Sequence, residues 1–260
     1  MESGYRDMDV LLGGLQPGRL VVAAAEPQYG IQTFLLGVVA HVATHLRRPV
    51  AILTVTASRA AIARHLTAVV SGEGGHDSPR AMSAAERTLR ANRAEALLHM
   101  LPVAIAESAG ALPQLAQTAA TLRAQRPYDL LLVLGPLEAL TSRHASPPAP
   151  CGSATDEALA IATELKRLAC DLEVPVLVQS GLSPRIQMRL DQRPMLSDLP
   201  ARGAISRLSD ATVFLCSTEP LGLATRQDLA TQIIIPQNRH GAVGTAMLHL
   251  TANRGRFESR

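Results

Sequence analysis

The chain has 260 residues, 47% hydrophobic and 18% charged, which supplies a sizeable core and excludes a disordered protein. No apolar run reaches the roughly 18–20 uncharged residues that span a bilayer, and the start, MESGYRDMDV, lacks the basic end and apolar core of a secretion signal, so a cytoplasmic protein without membrane partners is expected. Three scattered cysteines (Cys151, Cys170 and Cys216) and eight scattered histidines show neither disulfide nor zinc spacing, and no metal site is expected.

The opening segment, residues 1–18, leads into an apolar run, Leu20–Ala25, read as a buried strand. A Pro/Gly turn follows, then an apolar-periodic helix over Thr33–Leu46. Further strands are predicted at Val50–Val55, Leu101–Ala106, Asp129–Leu134, Val174–Gln179, Ala211–Leu215, Gln232–Ile235 and Thr245–Leu250. Helices are predicted at Ser58–Val70, Ala84–His99, Leu112–Gln125, Glu157–Leu172 and, briefly, Gly203–Leu208. The segments Ser71 to Ser83, Thr141 to Asp156 and 180–200 read as surface loops, the last carrying several arginines. Strands apolar throughout, such as Leu130–Leu134, suit a parallel sheet covered on both faces, and their alternation with helices implies right-handed βαβ units. The last two strands, joined by PQNRHGAVG, read as an antiparallel hairpin closing the sheet. No internal repeat or domain boundary interrupts residues 1–260, which read as a single α/β domain.

Of the 25 basic residues, 24 are arginines and only Lys166 is a lysine. A net charge of +3 permits nucleic-acid binding without requiring it. With 2% aromatic residues, the chain cannot build a broad base-stacking platform.

The stretch VVAAAEPQYGIQTF has the strand–turn–helix order of a phosphate-binding loop. Where G-x-x-x-x-G-K-[ST] requires lysine and a hydroxyl, however, Gly30 is followed by Ile31 and Gln32. The degenerate loop comprises Ala25, Glu26, Pro27, Gln28, Tyr29, Gly30, Ile31 and Gln32. Gly13, Gly14, Gly18 and Gly30 read as residues of backbone turns and close packing.

Four separated stretches, SGYRDMDVLLGGLQPGRLVVAAAEP, LKRLACDLEVPVLVQS, RPMLSDLPARGAI and IIIPQNRHGAVGT, together resemble the RecA-fold motor domain of the DnaB-type replicative helicases, in order and spacing. The helical N-terminal domain of that family is not part of the match. The resemblance implies a RecA-like P-loop NTPase fold, a mostly parallel central sheet with helices on both faces and a C-terminal antiparallel hairpin. It also places the chemistry. Residue by residue, the family's phosphate-loop lysine falls on Ile31 and its magnesium-binding hydroxyl on Gln32. The catalytic glutamate falls on Thr56, the magnesium-side aspartate on Gly135, the γ-phosphate sensor on Gly181 and a hairpin lysine on Gln237. Only the arginine finger is kept, as Arg239; the alternative reading of that residue is an exposed hairpin arginine. Neither Lys166, Thr33 nor Glu138 restores the set. Phosphoryl transfer needs cationic charge on the phosphates, a held magnesium and an oriented water, so little or no ATP hydrolysis is expected.

Arg185, Arg189, Arg193, Arg202 and Arg207 lie in the segment that faces DNA in the resembled family, and read either as phosphate contacts or as solvated loop charge. The resulting expectation is a non-motor helicase relative that binds single-stranded DNA or docks onto related subunits, with no cofactor. The alternative is an ATP-dependent DNA helicase motor acting in replication, with ATP and magnesium as its cofactors.

Overall fold

The computed structural model describes residues 1–26, 29–72, 83–142, 154–217, 228–251 and 256–259. One nine-stranded sheet organises them, in the order β3-β2-β4-β5-β1-β6-β7-β8-β9. The strands are β1 Leu20–Ala24, β2 Val50–Thr54, β3 Val103–Glu107, β4 Leu130–Leu134, β5 Val176–Ser180, β6 Ala211–Ser217, β7 Asp228–Asn238, β8 Gly244–Thr251 and β9 Arg256–Ser259. The first six pair in parallel and the last three antiparallel. This is the expected RecA-like arrangement, with β9 added beyond the expected hairpin.

β1, β2 and β4 are buried at every position, because each carries apolar side chains toward both faces. On one face Val21, Ala23, Ile52 and Leu132 join a core with helices α2 (Ile31–Thr44) and α3 (Arg59–Ser71). On the other, Val22, Leu53 and Val133 pack with α5 (Leu112–Gln125) and α6 (Ala154–Leu172). α6 buries Ala158, Ile161, Ala162, Leu165, Leu168 and Ala169, the stripe its sequence period dictates. Helix starts follow local chemistry. The Ser58 hydroxyl accepts the Ala61 N–H at α3, and Ser83 with Glu86 forms a capping box at α4 (Ala84–Met100).

Several boundaries depart from expectation. A seven-residue helix, α1 (Arg6–Leu12), forms in the opening segment by burying Met8 and Leu12 one turn apart, a signal too short to read. β5 starts at Val176 rather than Val174, whose N–H instead bonds Ala169 at the end of α6. The expected helix over 203–208 is a 3-10 turn, Ala204–Arg207, entered through a left-handed turn at Ala201, Arg202 and Gly203. The arginine-rich 180–200 segment is more than a loop: it contains two 3-10 turns, Pro184–Met188 and Leu196–Asp198, and buries Ile186, Asp198 and Leu199. α6 begins at Ala154, inside the second expected loop, while residues 73–82 of the first expected loop and 143–153 of the second lie outside the described residues.

The opening segment is anchored where α2 makes room for it. The Tyr5 ring stacks on Phe34 at 4.7 Å, and its hydroxyl donates to the Phe34 carbonyl at 3.0 Å. A Cβ at Gly37 would stand 2.1 Å from that hydroxyl oxygen. Gly37→Ala is therefore expected to expel Tyr5 and destabilise the fold by about 1–3 kcal/mol, read as a lowered thermal midpoint. Pairing it with Tyr5→Phe, which removes the clashing atom, recovers part of the loss.

Candidate functional site

β1 delivers the chain to the carboxyl edge of the sheet, where a loop ends at Gly30 (φ +68°) and α2 begins at Ile31. Ala25 is buried, and the Tyr29 N–H closes a turn on the Glu26 carbonyl at 3.0 Å. Pro27 and Gln28 lie outside the described residues. Ile31, at the expected lysine position, is 5% exposed and joins the core formed by Phe34 and Leu35. Gln32 is half-buried beside it. The ring of Phe257 on β9 stands edge-on to Phe34 at 6.0 Å, with its atoms 3.6 Å from where a Gly30 Cβ would lie.

The loop carries charge of the wrong sign for phosphate. Glu26 is 5% exposed, and its Oε1 accepts a hydrogen bond from Gln187 Nε2 at 2.9 Å. A carboxylate held at low exposure repels an anion more strongly than one in open solvent. Thr33 supplies no replacement hydroxyl, because its Oγ1 lies 3.0 Å from His65 Nε2 on α3. Burial holds the His65 imidazole below its usual pKa, so the ring meets Thr33 neutral.

The sheet brings the other assigned positions to the same edge. Thr56, Gly135 and Gly181 follow the ends of β2, β4 and β5, and these strands lie side by side up to β1. Gly135 has φ +131°, a conformation that side chains rarely adopt, and its Cβ would meet that of Val55 at 3.0 Å. An aspartate does not fit there without a backbone change. Glu138 does reach this edge, with Oε1 3.0 Å from the place of a Gly181 Cβ. Glu107, at the end of β3, is committed elsewhere: its Oε1 accepts the Arg59 N–H at 2.7 Å and caps α3. Sequence reading placed Glu26 in the degenerate loop but not its burial or its Gln187 partner, and it missed Gln187 and Glu107, which have no motif and which only the fold places.

Lys166 sits at the opposite end. Its Nζ donates to Asp210 Oδ2 and to the Gly18 carbonyl, each at 2.7 Å. Asp210 also accepts the Leu20 N–H at 2.7 Å and lies 3.2 Å from His240 Nε2. Leu20 starts β1, about 13 Å from its carboxyl end at a strand rise of about 3.3 Å per residue. Arg239 occupies this far end too, donating through Nε to the Ser209 carbonyl at 3.0 Å and through Nη2 to that of Arg207. Gln237 Nε2 holds the Ser206 carbonyl of the same turn at 2.7 Å. Neither side chain can address its own chain's loop.

Residues 1–259 match the protein family described as the DnaB-like helicase C terminal domain. The chain belongs to this family. It is similar to the replicative DNA helicase DnaB of Pasteurella multocida, 28% identical over the whole chain, and to that of Buchnera aphidicola subsp. Baizongia pistaciae, 25% identical. It is also similar to the Synechocystis replicative DNA helicase DnaB, 30% identical over 84% of this chain but 24% of the relative. The chain spans about 55% of the length of the first two relatives. Among solved structures, it superposes on a DnaB-like replicative helicase studied with primase, with TM-score 0.83 and 23% identity over 99% of this chain and 61% of the other. A second solved structure, described as an ATPase domain, gives TM-score 0.83 at 22% identity, covering 99% of this chain and 90% of the other. The RadB recombinase gives 0.60 at 16%, covering 100% and 99%, which extends the shared fold to the wider RecA-like group.

Within this DnaB-like domain the five arginines of the 185–207 stretch divide into different roles. Arg189 is structural: its guanidinium forks onto Asp198, with Nη1 3.1 Å from Oδ1, and donates through Nη2 to the Arg193 carbonyl at 2.6 Å. The Asp198 hydrogen bond and charge raise the Arg189 pKa further. Arg193 reaches Thr245 Oγ1 on β8 at 3.2 Å. Arg207 is exposed and lends its carbonyl to Arg239. Arg185 and Arg202 are exposed, and their guanidinium groups have no partner among the described residues. No cluster of three or more metal-ligating side chains occurs among the described residues, and no described helix is long and apolar enough to cross a membrane.

Proposed function

We propose that this chain is a non-motor member of the DnaB-like family that hydrolyses little or no ATP and acts by docking onto other subunits. The observation that carries this reading is Ile31, turned into the core where phosphoryl transfer needs a cation, with the carboxylate of Glu26 buried five residues before it. Losing one charge-assisted contact weakens binding by about 1.5–3 kcal/mol, or one to two decades. Thr56, Gly135 and Gly181 supply neither a general base nor a magnesium ligand, and the single lysine is bound at the far end of β1. On this reading Arg239 serves as a brace of the 204–209 turn, its guanidinium held by the Ser209 and Arg207 carbonyls, and not as a finger.

A second reading keeps a weak nucleotide site. α2 has 14 residues and no side-chain cap at its N-terminus, so its first N–H groups are placed to take an anion without lysine. DNA-stimulated ATP turnover separates motor from non-motor. The expected rate with single-stranded DNA and magnesium is indistinguishable from that of buffer, whereas turnover near the common range of about 1–10³ s⁻¹ defeats the proposal.

A further inference from the structure

We infer that the left-handed turn at Ala201 and Arg202 is a strained latch, held by the Arg189–Asp198 fork, whose release lets residues 200–208 run as one right-handed helix. Ala201 has φ +51° and ψ +43°, and Arg202 φ +54° and ψ +40°. Residues other than glycine visit this region singly, and most are Asn or Asp, whose short side chains bond the local backbone. Here two neighbours share it without such a bond: Ala201 has no polar side chain, and the Arg202 guanidinium has no partner among the described residues. The local sequence asks for the opposite hand. Pro200 stands at the first helical position, which its fixed φ suits, and alanine and arginine are strong helix formers. Ala204 is already right-handed, at φ −53° and ψ −37°, and the 3-10 turn Ala204–Arg207 continues from it. Of this stretch only Gly203, at φ +82°, is at ease on the left-handed side. A segment whose local preference opposes its conformation is held there by its surroundings, and such conflicts gather at switch regions.

The holding contacts lie just before the turn. Leu199 is buried, and its carbonyl accepts the Gly203 N–H at 3.1 Å. Gly203 rests on the Leu196–Asp198 turn so closely that a Cβ would stand 2.4 Å from the Leu196 carbonyl oxygen. Asp198 fixes that turn: its side chain accepts the Met195 N–H at 2.8 Å and the Arg189 fork, and its carbonyl accepts the Ser183 N–H at 2.7 Å. One guanidinium thus keeps in place the floor on which the left-handed turn sits. The latch is incompletely satisfied, which favours release. Arg189 Nε is buried without a hydrogen-bond partner among the described residues, and Asp191 stands 3.9 Å from it. The consequence falls on a groove of about 970 Å³, which Pro200, Ala201, Arg202 and Ile205 line together with both members of the fork. Reversing the hand of the turn redirects the Arg202 side chain and recasts that wall, so the latch sets the shape of the groove.

The test is thermal melting of the full chain carrying Ala201→Gly or Arg202→Gly, each alone and in an Arg189→Gln background. Glycine escapes the left-handed penalty at a smaller entropic cost, so each substitution is expected to raise the midpoint of the parent chain by about 1–3 °C. In Arg189→Gln the sign reverses, because glycine inside a right-handed helix lowers the midpoint by about 2–4 °C. Arg189→Lys keeps the charge but loses the fork, and repeats the comparison in a milder background should the glutamine variant fail to fold. The backbone Cα chemical shifts of residues 201 and 202 report the hand directly, and are expected to move from left-handed to right-handed values once the fork is gone. Glycine substitutions that lower the midpoint of the parent chain would show that the turn holds no strain, and overturn the inference. So does a gain of equal size with and without the fork. Chemical shifts that stay left-handed in the Arg189 variants overturn it too, since the turn would then be a fixed part of the fold.

Discussion

Lys166→Met is expected to lower the melting temperature by about 6–12 °C. The substitution strands the Asp210 carboxylate, 5% exposed, between the Leu20 N–H and His240, with its main cationic partner gone. Breaking a buried ion pair from one side costs about 3 kcal/mol or more, and a domain of this size loses about 2–4 °C per kcal/mol. The effect is also legible in pH. Burial alone would raise the Asp210 pKa, but hydrogen bonds from Lys166 and the Leu20 N–H, the Lys166 charge and the His240 contact together outweigh it and bring it below 3.8. A carboxylate depressed in the folded state contributes stability that is fully present above its unfolded pKa and is lost as pH falls through the folded value. In the parent chain this contribution is therefore constant near neutrality and disappears below about pH 4. In Lys166→Met it is already missing at pH 7, so the stability gap between the two proteins narrows on acidification. A gap that stays constant to pH 3 would mean that Lys166 acts by packing alone.

Ile31→Lys is expected to destabilise the fold by about 2 kcal/mol, or about 4–8 °C, without creating ATP turnover. Full burial of an isoleucine is worth about 1.5–3 kcal/mol, and the lysine stem recovers only part of it. Ile31→Met, which keeps volume and apolarity, is expected to cost less than about 1.5 kcal/mol. Turnover stays absent because Gly135 still offers no carboxylate and Thr56 no base. Adding Gly135→Asp does not repair this, since φ +131° and the Val55 Cβ at 3.0 Å oppose any side chain there. A neutral Ile31→Lys variant that hydrolyses ATP would show that the loop is open and merely unfurnished.

The sheet was legible because its signals are local. β1, β2 and β4 are apolar over nearly their whole length, α6 repeats its stripe from Ala158 to Ala169 over about three turns, and PQNRHGAVG marks a turn between two strands. What escaped reading depends on contacts distant in sequence. α1 is a helix because Met8 and Leu12 find the core, and β9 because residues 248–251 offer it an edge. The Leu196–Asp198 turn and the left-handed Ala201–Arg202 pair depend on the Arg189–Asp198 fork and Pro200, which no period reveals. At the site, the substitutions at Ile31, Gln32, Thr56, Gly135 and Gly181 could be read from the resemblance, but their consequences could not. Sequence leaves Ile31 as a missing cation; the fold adds that its side chain is part of the core. It also shows that Glu26 is bound to Gln187, 161 residues away, and that Lys166 is bound to Asp210.

The most direct test of the central claim is calorimetric titration of the purified chain with ATP and magnesium. The loop as described, with Ile31 buried and Glu26 facing inward, predicts no measurable heat of binding up to about 1 mM nucleotide. A dissociation constant in the micromolar range would contradict it, and would mean that the N–H groups at the start of α2 rebuild a nucleotide site without the lysine.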